Sequence, residues 1–483
     1  MFINIINILM NTLEKITPRS KDFAQWYTDL ITAAKLVGYS AIKGETIFRP
    51  NGWAIWTQIQ EELDRRYRKH GILNVALPTF IKFSDFMKEK EHVEGFAPEV
   101  FLVTKKGQET LSDPYVVRPT SEVLFCDYFK KIVTSYNDLP VKVNQWCNVF
   151  RAEKNTRPFL RTTEFFWHEL HTIHSSKAEA IEQAKKMADE YYDFVTKVLL
   201  IPCLQGEKTV GERFAGAENT YTIEALMQDG QALQCGTSHY LGQSFAKTYD
   251  IQFTNKDNKL EYVYQTSTGA STRLIGAIIM SHSDDHGLKL PFGIAPTQIA
   301  ILGLFVHKEP KVTEVANKLA KTLSKYRVKV DLTDKSFGYK AAESEVTGVP
   351  FSIIVGPNDL KENKVTILRR DTLTKEVCDL DKVENKIEQL IPIFQNNLYQ
   401  AAKKNLESKT IEVDNIDDFK KAIDEKKLVI APWAGDEKDE KKIKQMFGAT
   451  PRCIKQELKD DTKLVCFLTG KKAKYIVYFA RAY

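Results

Sequence analysis

The chain has 483 residues, 43% hydrophobic and 27% charged, with 23 glycines, which excludes collagen-like, disordered and membrane-embedded compositions and, at roughly 150 residues per domain, predicts about three domains. The net charge of +6, from 69 basic and 63 acidic residues, permits a local basic face but is too mild to identify a nucleic-acid partner. The seven cysteines form no C-x-x-C pair, which fits reduced thiols and a cytoplasmic location.

The opening MFINIINILM is apolar, but Asn4 and Asn7 interrupt it and no basic residue precedes it, so it reads as a short extension, not an export signal. No uninterrupted apolar run of about 18 residues follows, and no membrane span is expected. From Asp22 to Leu36 and from Trp53 to His70, apolar residues recur at helical spacing, the second run stopping at Gly71; both predict surface helices. ILNVALPTF, VKVNQWCNVF, TEFFWHELHTI and TYTIEALM read as strands, and SKAEAIEQAKKMADEYYDFVTKVL as a helix among them. Strands in succession with helices to one side predict an antiparallel α+β core.

Beyond Pro291 to Pro296 the pattern becomes strand QIAILGLFV, helix VTEVANKLAKTLSKY, strand VKVDLTD, a helix near KAAESEV and strand PFSIIVGP. That βαβαβ order predicts a separate α/β domain of about 100 residues. A lysine- and glutamate-rich helical stretch from Lys382 to Lys409 leads into a third unit ending at Tyr483. The expected borders are 1–293, 294–398 and 399–483.

The stretch VFRAEKNTRPFLRTTEFFWHELH, Val149 to His171, carries the most chemistry. Arg151 and Glu153 lie two apart at a strand end and share a face, as do Phe165, Trp167, Glu169 and His171 on the next strand; Arg157 and Arg161 lie in the loop between. Arginines that fork onto phosphate oxygens, beside aromatic rings that stack on a base, suit a nucleotide. A solvated charged hairpin over a core stripe has the same pattern. There is no GxxxxGK[ST] phosphate loop.

HGILNVALP ending at Pro78, VVRPTSE (116–122), FRAE…FLRTTEF and GASTRLIGAIIM (269–280) resemble, in order, motif 1, the amino-acid-binding segment, motif 2 and motif 3 of class II aminoacyl-tRNA synthetases. The variants RPTSE, FLRTTEFFWHELH, LQCGTSHYLGQSF and the terminal YFARAY are similar to prolyl-tRNA synthetases of the archaeal/eukaryotic-like type. This resemblance implies a ligase that converts L-proline and ATP to prolyl-adenylate and pyrophosphate, then transfers proline to tRNA(Pro). It further implies Mg2+ accompanying ATP, a homodimer formed through motif 1, an α/β anticodon-binding domain centred on FGYKAAESEVTGVPFSIIVGP, and a small α+β C-terminal domain.

Residue by residue, the resemblance makes Arg151 the bridge between the α-phosphate and the proline carboxylate and Arg273 the holder of the outer phosphates, the two catalytic arginines. Glu153, Arg161 and Thr162 would contact the nucleotide and Phe165 would stack on adenine, with Gln234, Thr237 and Ser271 completing the ATP site and supporting the metal. Glu122 would supply the counter-charge to proline's ammonium, Thr120 a hydroxyl acceptor, and His239 would close a pocket walled by Phe165 and Trp167. From the residues alone, Thr120 to Glu122 also fits a helix N-cap with an acidic first turn, and His239 a satisfied core histidine.

The cluster His282-Ser-Asp-Asp-His286 has metal-ligand spacing, but a similar stretch follows motif 3 in the family, which implies structural capping. Lys340, Lys361, Lys364, Arg369 and Arg370 fit either contacts to anticodon phosphates and bases or a solvated lysine face. The stretch APWAGDEKDE…CFLTGKKAKYIVYFARAY resembles a zinc-bearing domain, yet Ala434, Asp439, Cys466 and Thr469 occupy the ligand positions. No zinc is therefore expected; packing around Trp433, Phe467, Tyr475, Ile476 and Phe479 would hold the domain, with Tyr483 folded toward the catalytic domain. Between His174 and Ser267 a helix and strands leave no room for an inserted editing domain of more than ~100 residues. A synthetase-like RNA- or partner-binding protein without aminoacylation activity should have lost a motif arginine or the proline-binding glutamate; Arg151, Arg273 and Glu122 are all present.

Overall fold

The computed structural model describes residues 16–88, 100–459 and 461–483; the opening MFINIINILM lies outside them. The helix Phe23–Ala33 starts where Asp22 accepts from the backbone N–H groups of Ala24 and Gln25 at 2.9 and 3.0 Å, satisfying donors that a first turn leaves free. The helix Pro50–Lys69 starts on proline and is followed by Gly71 at φ +70°, a conformation that costs glycine least. Each buries one complete face, Trp26, Tyr27, Leu30 and Ile31 on the first and Ile55, Trp56, Ile59, Leu63 and Tyr67 on the second.

These faces pack into the core around a seven-stranded sheet, in the order Leu73–Asn74, Val141–Phe150, Glu164–His174, Tyr264–Ser271, Ala232–Gly242, Asn219–Leu226 and Cys203–Glu207. Its neighbours pair antiparallel except the first two, so the expected antiparallel α+β core is present. The segment ILNVALPTF is two strands, not one: Leu73–Asn74 joins the large sheet, while Phe80–Lys82 joins Phe101–Lys106 and Glu109–Val117 in a smaller one. Pro78 lies between them and, lacking an N–H, cannot continue a ladder. The helix Lys177–Lys197 crosses the large sheet, and Gly236 admits its Tyr191 ring, since a Cβ there would lie 2.7 Å from Tyr191 Cδ2.

The second unit contains the expected βαβαβ order, with Val328–Asp331, Ile299–Gly303 and Phe351–Val355 parallel, and adds two antiparallel strands, Lys364–Arg369 and Lys375–Asp379. Its helix Val383–Lys409 runs through residue 398, so the expected border lies inside a helix joining the second unit to the third. The third unit is a four-stranded sheet, Thr410–Glu412, Leu428–Trp433, Tyr475–Ala480 and Thr450–Glu457. Phe419 stacks on Phe467 at 4.3 Å in its core, beside Trp433 and Phe479. Tyr475, half-buried, packs against this cluster on the face of Val477 and Phe479, while Ile476 lies outside it, because side chains alternate along a strand.

At the four zinc-ligand positions, Asp439 closes a capping box by accepting from the Asp436 N–H at 3.2 Å, Cys466 is packed in the apolar core, and Thr469 accepts from the Lys471 N–H at 3.3 Å; the fourth is Ala434. The cluster His282 to His286 is a structural junction. His282 Nε2 meets the Leu199 carbonyl at 2.8 Å, Asp285 binds Arg19 at 3.1 Å, and Asp284 is clasped by Lys289 at 2.9 Å and by Arg370 of the second unit at 2.5 Å. Three of the cations offered for RNA are thereby committed elsewhere. Arg370 is 1% exposed, Lys340 donates to the Gly303 carbonyl at 2.8 Å, and Arg369 pairs with Asp371 at 2.7 Å; burial forces each to spend its donors inside the protein. Among the described residues no helix is long and apolar enough to cross a membrane.

Candidate active site

The pleat assembles the site. Register sets Ser271 beside Trp167, Gly269 beside Glu169, and Thr237 beside Gly269, so alternate residues of three adjoining strands share one face. With Thr120, Glu122, Arg151 and Arg273 they line a cavity of about 260 Å³. Phe165, Gln234 and His239 also line it.

One end is acidic. The Thr120 hydroxyl lies 2.5 Å from Glu122 Oε2 and 3.1 Å from Glu169 Oε1, while Glu169 also accepts from the Ser121 N–H at 2.8 Å and from Gln145 Nε2 at 2.9 Å. Burial pushes both carboxyls above the ordinary carboxylate range, and the Glu122 charge pushes Glu169 further. Two buried carboxylates sharing a hydroxyl favour an added cation. Glu122 does open the helix Glu122–Ile132, but Ser121 supplies no side-chain cap, because its hydroxyl is taken by Glu169.

Another part of the lining is basic. Arg151 donates from Nε to the Pro119 carbonyl at 3.1 Å, and its guanidinium lies 5.2 and 5.5 Å from the ring centres of Phe165 and Trp167. Arg273, opening the helix Arg273–His282, donates from Nε to the Leu160 carbonyl at 3.2 Å. Burial, with the charges of Arg161 and Arg151, pulls the Arg273 pKa down to about 10. Three converging guanidinium groups form a site that an anion stabilises.

Arg161 lines an adjoining cleft of about 600 Å³ shared with Gln234 and Arg273, and Glu153 reaches it at 3.5 Å. Thr162 is not brought to the cavity: it is buried, with its hydroxyl donating to the Glu164 carbonyl at 2.6 Å. His239 meets both readings offered for it, since it lines the cavity while Nδ1 lies 3.0 Å from the Thr220 hydroxyl and Phe214 packs on its ring at 4.7 Å. Burial holds its pKa down to about 3, so it is a neutral wall.

The loop residues Glu212, Arg213 and Phe214 join the site without having been singled out, and Glu169, named only for its face, also organises Thr120 and Ser121. Glu169 was visible in the strand alternation; the loop carries no periodic signal.

An antiparallel sheet carrying converging arginines on one face, one of them at the head of an apolar helix, defines a class II aminoacyl-tRNA synthetase core. The family model described as tRNA synthetase class II core domain (G, H, P, S and T) matches residues 101–282, Anticodon binding domain matches 298–390, and Prolyl-tRNA synthetase, C-terminal, matches 416–483. The proline--tRNA ligase of Mycoplasmopsis synoviae (strain 53) is 51% identical, over 98% of this chain and 100% of its own, and that of Ureaplasma urealyticum serovar 10 is 50% identical, over 98% and 99%. The crystal structure of prolyl-tRNA synthetase from Cryptosporidium parvum, complexed with halofuginone and AMPPNP, superposes with a TM-score of 0.91 at 35% identity, covering 97% of this chain and 96% of that one. The chain belongs to the prolyl-tRNA synthetase family.

Proposed function

We propose that the acidic end of the cavity holds proline and the basic end holds ATP. The chain is a proline--tRNA ligase, an ATP-dependent enzyme whose substrates are proline, ATP and tRNA, and the observation that carries the site assignment is that the Thr120–Glu122–Glu169 group and the arginines Arg151 and Arg273 line one cavity. Proline's ammonium donates to the Glu122 carboxylate and to a lone pair of the Thr120 oxygen, whose own proton is committed to a carboxylate. Its ring lies against Trp167 and His239, and Arg151 receives its carboxylate.

That carboxylate oxygen attacks the α-phosphorus of ATP, the bond from this phosphorus to the bridging oxygen breaks, and pyrophosphate leaves. The terminal ribose hydroxyl of tRNA then attacks the adenylate carbonyl, and AMP leaves. The first step brings anions together, so positioning and charge neutralisation supply most of the rate. Arg151 stabilises the α-phosphate and carboxylate, Arg273 and Arg161 the outer phosphates, with Phe165 against adenine, Gln234, Thr237 and Ser271 around the nucleotide, and Glu153 orienting Arg161. No side chain acts as a nucleophile.

Among the described residues no group of three or more His, Cys, Asp and Glu side chains is arranged to hold a metal. This fits Mg2+, which takes few protein oxygens and arrives on phosphates; Gln234, Thr237 and Ser271 would support it, and when bound it supplies further charge neutralisation. The Thr469, Cys466, Asp439 and Ala434 positions favour a C-terminal unit without zinc.

Within the family we assign the archaeal/eukaryotic-like type, supported by the RPTSE, CGTSH and YFARAY variants; the type describes sequence architecture, since the relatives above are bacterial. We divide the chain at 293/294 and 398/399, the helix Val383–Lys409 acting as a strut across the second border. A homodimer through the Pro78 segment is supported by the exposed apolar residues around it, Leu73, Phe80, Phe101 and Leu102. A cytoplasmic location is supported by seven free cysteines.

ATP–pyrophosphate exchange across the twenty amino acids tests the assignment: proline should dominate. Weaker exchange with alanine is expected, because a lost methylene is worth only about 1–3 kcal/mol, with no deacylation of alanyl-tRNA by this chain. Exchange with another amino acid and none with proline would overturn the reading.

A further inference from the structure

The nucleotide side of the cavity is tied to the C-terminal unit by buried charges. Gln234 donates from Nε2 to the Thr222 hydroxyl at 3.3 Å, and that hydroxyl donates to Glu224 Oε1 at 2.9 Å. Glu224, 1% exposed, accepts from Lys208 Nζ at 2.8 Å on one side. On the other it accepts from Nε and Nη2 of Arg452, at 3.0 and 2.7 Å. Arg452 is itself oriented by donating from Nη1 to the Thr450 hydroxyl at 2.9 Å.

Lys208, Glu224 and Arg452 are 2%, 1% and 6% exposed. Against burial that would raise it, the charges of Arg452 and Lys208 hold the Glu224 carboxyl down to about 2. Such a group is stable only when its donors and acceptors are paired, so its geometry has little freedom. Backbone packing removes what remains. A Cβ on Gly206 would lie 2.4 Å from the Ile454 carbonyl oxygen, so the strands Cys203–Glu207 and Thr450–Glu457 meet with no slack beside Arg452. Lys208 also begins the loop that carries Glu212 and Phe214 into the cavity, and a Cβ on Gly211 would lie 2.5 Å from Glu440 Oε2 of the C-terminal unit.

We infer that Arg452 is a positioning residue for ATP: through Glu224 and Thr222 it sets the Gln234 side chain, while Lys208, bonded to the other carboxylate oxygen, holds the loop beside the pocket independently of Arg452. The inference rests on the reading that Gln234 faces the nucleotide. Without Arg452, Glu224 Oε2 loses both its donors, the carboxylate turns toward Lys208, and the Thr222–Gln234 chain loses its fixed end. The acidic end, built from Thr120, Glu122 and Glu169, is held by other bonds and is left in place.

The test is steady-state pyrophosphate exchange by the full chain, saturating separately in ATP and proline, for wild type, Arg452→Met, Arg452→Lys and Thr222→Val, at a temperature where circular dichroism shows each folded. Arg452→Met and Thr222→Val should raise the KM for ATP about tenfold, the scale of a modest misplacement, with the KM for proline moving less than about twofold; Arg452→Lys should recover part of the loss. An ATP KM within about twofold of wild type in folded Arg452→Met, or equal changes in both KM values, would overturn the inference. Should Arg452→Met not fold, Thr222→Val, which keeps all three charges, decides by the same criterion. A wild-type chain without proline-dependent exchange would overturn the functional reading and the inference together, whereas normal wild-type exchange with an unshifted ATP KM overturns the inference alone.

Discussion

The Thr120 hydroxyl stands 2.5 Å from a carboxylate oxygen of Glu122, and Glu169 shares the same hydroxyl from the other side at 3.1 Å. Removing the Glu122 charge takes away proline's counter-ion and also relieves a buried like-charge contact. Glu122→Gln should therefore raise the KM for proline about 10- to 100-fold, the value of a charge-assisted hydrogen bond, while the melting temperature stays level or rises. Exchange kinetics and a thermal melt check both; a lower melting temperature with an unchanged proline KM would contradict the assignment.

Arg151→Ala and Arg273→Ala should each lower kcat for exchange about 100- to 1,000-fold, as for other donors aimed at developing charge. Neither should unfold the chain, because each removes a cation from a cluster whose members repel. Near-wild-type exchange by either folded variant would show that the basic end is not where the phosphates bind.

For the C-terminal unit, elemental analysis of protein purified without chelator should find only substoichiometric zinc, and chelator should leave the melting curve unchanged. Phe419, Trp433, Phe467 and Phe479 supply the core, so Phe419→Ala should cost about 3–5 kcal/mol. One zinc per chain would refute this account of Ala434, Asp439, Cys466 and Thr469.

Burial holds His168, His171 and His239 at about 3 and His174 and His282 at about 4. Unfolded, each titrates near 6.5, so between those values the unfolded chain binds more protons. Their contribution is complete above about pH 6.5 and is lost as pH falls toward 4, with a slope approaching ~1.4 kcal/mol per pH unit per histidine. The raised carboxyls of Glu122, Glu169, Glu345 and Glu440 act in the opposite sense but are four against five. Calorimetry from pH 7.5 to 5 should show a steadily falling melting temperature; a flat profile would contradict the burial of these rings.

The exposed Leu73, Phe80, Phe101 and Leu102 predict a two-fold dimer. Light scattering at micromolar concentration should give about twice the chain mass of 55.3 kDa. Replacing Phe80 and Phe101, which flank Val117 on one face of the small sheet, by lysine should shift the population to monomer.

Much of the site was legible before any fold was known. Local patterns suffice for Phe165, Trp167, Glu169 and His171, since a two-residue period places them on one face, and for Arg273 at the head of an apolar helix. The central strand Tyr264–Ser271 was not legible as a strand: YQTSTGAS has no apolar alternation, because Thr266 and Thr268 on one face meet the hydroxyls of Thr172 at 2.6 Å and Ser238 at 3.0 Å, while Ser267, Gly269 and Ser271 on the other line the cavity. Ile476 was expected in a core that its strand parity turns it away from.

The sequence by itself determined the residue types that bind two anions and a cation, their order along the chain, and the family. Only the tertiary structure decided which of them meet. Thr162 faces its own turn while Glu169, 49 positions from Thr120, joins it; Arg370 leaves the candidate RNA contacts to clasp Asp284, 86 positions away; and Arg452 reaches Glu224 across 228 positions. Such pairings leave no periodic trace in the sequence, because each is set by packing of separate elements and by the requirement that a buried charge find its partner wherever the fold brings one.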